Sequence, residues 1–60
     1  MTKSDAEEIL DFAIRPNGDL FNLGQYIAWN VGDKDITLDA DFSIDELEAI
    51  VWWMKNVKTA

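Results

Sequence analysis

Gln25-Tyr26-Ile27-Ala28-Trp29-Asn30-Val31 alternates along its length. In an extended chain Ile27, Trp29 and Val31 fall on one face, and Tyr26, Ala28 and Asn30 on the other. Gly32-Asp33-Lys34-Asp35 follows with the composition of a turn. Ile36-Thr37-Leu38-Asp39 then alternates again, with Ile36 and Leu38 facing inward. Together these segments predict an antiparallel hairpin with a connection of about two to four residues. The rival reading makes 19–31 a middle helix, because Leu20, Leu23, Ile27 and Val31 also fit a helical stripe. Gly24 would then sit inside the helix at a cost of about 1 kcal/mol. The β-branched and aromatic residues after it favour strand as well. The hairpin is therefore the expected form, and a three-helix bundle is the alternative. The segment from Asp19 to Gly24 reads equally as a short strand, a helical turn or a packed loop.

Both flanks of the hairpin read as helices. Ser43 and Glu46 form a capping box, in which each side chain bonds the backbone amide of the other residue. Phe42 before the cap and Leu47 after it have the spacing of a hydrophobic staple. Asp45 and Glu46 at the start, with Lys55 and Lys58 near the end, suit the helix dipole. Leu47, Ile50, Val51, Met54 and Val57 recur at helical spacing, and this stripe is expected to face the core. Ser4-Asp5-Ala6-Glu7 reads as a second capping box, starting the first helix near Asp5. Ala6, Ile9, Leu10 and Ala13 make its apolar stripe. Pro16 is expected to end it, with Arg15-Pro16-Asn17-Gly18 as a tight turn. The predicted fold is α+β: helix, antiparallel hairpin, helix, with both helices on one face of the hairpin.

The chain has 60 residues, which predicts one domain spanning 1–60. So short a chain buries only about 60% of its unfolded surface. It has no cysteine and no histidine, which removes disulfides and the usual zinc ligand sets. Yet 48% of the residues are hydrophobic, including three Trp and three Phe. That is more than one small core readily hides, so a homo-oligomer or a protein partner is expected. Twelve acidic residues against five basic ones give a formal charge of −7. Such a surface repels nucleic-acid phosphates and anionic membranes, and suits a basic partner. There is no apolar signal core after Met1 and no run of about 20 apolar residues, so a soluble cytoplasmic protein is expected.

On a helical wheel Trp52 lies nearly opposite the Leu47–Ile50–Val51–Met54 stripe, beside Ala49, Asp45 and Asn56, with Trp53 on the flank. Those five residues are the expected interface, since tryptophan outside a core concentrates binding energy. Asp33, Asp35, Asp39 and Asp41 form the expected acidic surface. They do not make a calcium loop: counted from Asp33, the sixth and twelfth positions are Leu38 and Ile44, where glycine and glutamate are required. A weakly held hydrated cation at the helix entrance is the alternative to turn and cap chemistry, and no metal is assigned. No cofactor is expected either, because Gly18, Gly24 and Gly32 are isolated and match no phosphate-binding loop. With no His or Cys, and the only serines at expected caps, no catalytic residue is assigned and the protein is expected not to be an enzyme.

Trp29-Asn30-Val31-Gly32, then Ile36-Thr37-Leu38-Asp39-Ala40-Asp41-Phe42-Ser43 and Glu46-Leu47-Glu48-Ala49-Ile50, resembles the C-terminal half of short phage and prophage proteins. Those carry a strand of the type I-T-L-D-G, followed by F-[S/T] opening a helix with E-L-x-A-I. Ala40 stands where that pattern has glycine. The resemblance covers about half the chain and implies a viral accessory protein acting in the host cytoplasm. Three functions are compatible with these features. The first is a protein-binding accessory that inhibits or modulates a host protein such as a defence factor. The second is an acidic DNA mimic occupying a nucleic-acid-binding site. The third is an oligomer that binds a small ligand such as a nucleotide.

Overall fold

The computed structural model describes residues 1–58 and has two helices around a three-stranded antiparallel sheet. In chain order these are α1 (Lys3–Ile9), β1 (Leu20–Asn22), β2 (Tyr26–Trp29), β3 (Thr37–Asp39) and α2 (Ile44–Asn56). The sheet order is β1-β2-β3. The fold is α+β and not a three-helix bundle.

The expected hairpin is β2–β3, with Tyr26 opposite Asp39, Ile27 opposite Leu38 and Ala28 opposite Thr37. Its connection is longer than expected, because the strands stop at Trp29 and resume at Thr37. Val31 lies beyond the end of β2, yet its side chain packs against the core as its alternation suggests, while its N–H donates to the Asp19 carboxylate at 2.8 Å. The Trp29 indole N–H donates to the Asp33 carbonyl at 2.8 Å and folds the connection back on the strand. Gly32 takes a positive φ of 98° within it.

The ambiguous segment supplies β1, with Leu20 opposite Trp29 and Asn22 opposite Ile27. Asn22 holds the bend that follows. Its side-chain Oδ1 accepts from the Gly24 and Gln25 backbone N–H groups, and its Nδ2 donates to the Phe12 carbonyl at 2.6 Å.

The first helix differs from expectation at both ends. Its cap is Thr2, boxed with Asp5, so Ser4 lies inside the helix. Thr2 and Asp5 have the same spacing and the same reciprocal bonds as the predicted pair, two residues earlier. The helix then stops at Ile9, well before Pro16. The chain bends so that Ala13 and Leu10 stay buried while Ile14 bridges to Leu20. The predicted turn is present: the Gly18 N–H donates to the Arg15 carbonyl at 2.9 Å, the Arg15 N–H donates to the Asp19 carbonyl at 2.8 Å, and Gly18 takes a φ of 94°.

One face of the sheet carries Leu20, Ile27 and Trp29 into a single buried cluster with Ala6, Leu10 and Ala13, and with Ala49, Ile50 and Trp53. The two helices pack on each other, and each buries an alanine completely. No polar side chain is buried, so the core is wholly apolar among the described residues.

Candidate functional site

The last helix starts as its sequence dictates. Ser43 Oγ accepts from the Glu46 amide at 3.0 Å, and Glu46 accepts from the Ser43 amide at 2.8 Å. The Ser43 amide holds the Glu46 carboxyl below its ordinary range, and the Thr2 amide does the same for Asp5. These shifts arise from caps rather than from a pocket.

The rotation of α2 is not the one the apolar stripe suggested. Ala49, Ile50 and Trp53 are buried. Leu47 and Val51, assigned inward from sequence, are 42% and 50% exposed, and Ile44 is 75% exposed. The helix is turned by roughly a quarter revolution from expectation. Leu47 is turned largely outward, while Phe42, its expected staple partner, packs against the core. The inward side of α2 is the one that packs with α1. It carries the small Ala49, and Trp53 with it, whose indole N–H donates to the Gly18 carbonyl at 2.8 Å.

Of the five interface residues expected from sequence, Ala49 and Trp53 therefore belong to the core. Asp45 and Asn56 are exposed, and Trp52 is half-buried. The Trp52 ring lies 6.4 Å from that of Trp53 at 50°. With Met1, Leu47 and Val51, Trp52 lines a shallow, largely apolar cleft of about 460 Å³. A second cleft, of about 510 Å³, lies beside Val51, Met54 and Val57. The stripe expected from sequence includes Leu47 and Val51 but turns them inward and leaves out Ile44; in the structure these three form an outward row, spaced by three then four residues.

All four residues of the expected acidic surface are exposed. Asp33 and Asp35 lie on the β2–β3 connection, Asp39 ends β3, and Asp41 follows it. In the chain they flank β3, the sheet edge to which no other segment hydrogen-bonds among the described residues. The opposite edge is covered, because Phe21 N–H donates outward from β1 to the Ala13 carbonyl at 2.8 Å. Backbone direction alternates along antiparallel strands. Phe21 faces away from β2, so Leu20 and Asn22 bond to Trp29 and Ile27. Tyr26 and Ala28 then bond to Asp39 and Thr37. The N–H and C=O of Leu38 are left pointing off the free edge of β3.

The far face of the sheet carries the row Phe21, Ala28 and Thr37. Arg15 covers its end, with the guanidinium carbon 5.1 Å from the Phe21 ring centre. The adjoining cleft, about 430 Å³, is lined by Arg15 but also by Asp19, Asp33 and Asp35. Three carboxylates against one guanidinium make it a poor seat for a phosphate. No group of three or more acidic side chains able to hold a metal occurs among the described residues. No helix there is long and apolar enough to cross a membrane. Comparison with protein-family models, with curated proteins and with solved structures gives no match for this chain.

Proposed function

We propose that this chain is a protein-binding accessory protein that takes an extended, basic segment of its partner along the free edge of β3. The carrying observation is the asymmetry of the sheet. One edge is covered by its own chain, and the other offers the Leu38 N–H and C=O amid Asp33, Asp35, Asp39 and Asp41. An open edge gains main-chain hydrogen bonds from an added strand, and its side chains select the partner. Carboxylates on both sides of β3 select Lys and Arg and oppose a second copy of the same strand. The protein acts by occupation and not by catalysis. The phage-type resemblance of the segment from Trp29 to Ile50 supports a host protein as the target, in the host cytoplasm, with inhibition or modulation as the outcome.

An alternating Lys-Val peptide titrated into isotopically labelled protein tests this reading. The Leu38 amide should shift on binding, and Asp39→Lys with Asp41→Lys should abolish the binding while the fold is kept. Unchanged binding by the charge-reversed protein, or no response at Leu38, overturns it. If a captured host partner is instead displaced by duplex DNA, the carboxylates act as a DNA mimic.

A further inference from the structure

We infer that the outward face of α2 is a self-association seam, pairing two copies through antiparallel α2 helices. Ile44, Leu47, Val51 and Met54 recur at steps of three, four and three residues along α2. That is the a/d spacing of a heptad, the pattern a second helix fits; Ile44, Leu47 and Val51 lie away from the core-facing Ala49, Ile50 and Trp53, and Met54, which also packs against the core, is at the margin between the two faces. Three of the four seam residues are exposed and Met54 is half-buried. The clefts beside Val51 give a partner's side chains somewhere to enter. This surface is distinct from the β3 edge, so the inference stands or falls apart from the proposed function.

Charge identifies the occupant as a second copy and sets its direction. Glu48 and Lys55 are both exposed and lie seven residues apart, on the same flank of the seam. In an antiparallel pair crossing near Val51, Glu48 of each copy comes opposite Lys55 of the other. The acidic first turn, with Asp45 and Glu46, then lies near the Lys55 and Lys58 end of the partner helix, and the helix dipoles oppose. A parallel pair would set Asp45, Glu46 and Glu48 of both copies side by side. A two-fold axis repeats every contact, so one complementary pair on one chain serves twice.

Sedimentation equilibrium on wild type, Glu48→Lys, Lys55→Glu and their mixture tests the inference. Both positions are exposed, so the fold should persist, as circular dichroism will check. Wild type should show twice the 6.8 kDa mass of one chain. Each variant alone should dimerise about tenfold or more weakly, because two attractions become two repulsions. The equimolar mixture should recover the dimer, since one chain then presents only lysines and the other only glutamates at these positions. A wild type that stays at one chain throughout the micromolar range overturns the inference. So do variants that pair as well as wild type, or a mixture that does not recover.

Discussion

The indole N–H of Trp53 donates to the carbonyl oxygen of Gly18 at 2.8 Å, tying the last helix to the turn that leads into the sheet. The two residues lie 35 positions apart in the chain. Gly18 is at a φ of 94°, and a Cβ added there would lie 3.1 Å from Val31 Cγ2 and 3.2 Å from Val57 Cγ1. The contact therefore needs glycine for its backbone and tryptophan for its donor.

Gly18→Ala should destabilise the fold by about 1–2 kcal/mol, from the left-handed backbone alone. Crowding against Val31 and Val57 adds to that. Trp53→Phe keeps an aromatic ring but leaves the Gly18 carbonyl without its donor, at about 1–3 kcal/mol. Urea denaturation of both variants checks this, and an unchanged midpoint in either would contradict the contact.

Ser43→Ala should cost about 1 kcal/mol, because the amide of Glu46 loses its acceptor. The pH dependence follows from Glu46. Its carboxyl is held below the ordinary value in the folded chain, so the stability it contributes is present above the unfolded-state pKa. That stability is lost as pH falls through the folded-state value. Glu46→Gln should thus be less stable than wild type at neutral pH and converge with it at acid pH. Parallel stability curves at all pH values would sever the link.

Trp29→Ala should unfold the chain or cost about 3–5 kcal/mol, since the ring is in the core and its N–H holds the Asp33 carbonyl. Trp52→Ala should cost distinctly less in the isolated chain, because Trp52 is half-buried at the margin of a cleft. Unfolding free energies of the two variants, measured at low concentration, decide whether the tryptophans divide in this way.

The parts of the fold carried by local chemistry were legible in the sequence. The Ser43–Glu46 box bonds only its own turn, and the alternation from Tyr26 to Trp29 is a property of one short segment. The rotation of α2 was hidden because that helix is apolar on two sides. Leu47, Val51 and Met54 outweigh Ala49 in hydrophobicity, yet a small residue is what a close helix contact requires. β1 has three residues, too few for periodicity to register, and its covered edge depends on Ala13, seven residues before Leu20. Asn22 carried no signal, because its bonds to Phe12, Gly24 and Gln25 depend on how the chain folds back. Asp33, Asp35, Asp39 and Asp41 are exposed, and their relation to the free edge of β3 required the strand order.

The proposed seam on α2 depends on which side of the helix is spare. Unfolding free energies of Val51→Asp and Ala49→Asp, measured at a concentration where chains do not associate, test it most directly. Val51→Asp should change the stability of the single chain by no more than about 0.5 kcal/mol, as for an exposed site. Ala49→Asp should abolish folding, because it places an unpaired carboxylate between the two helices. The opposite result, with Val51→Asp unfolded and Ala49→Asp folded, would put the Leu47–Val51 stripe in the core and contradict the seam.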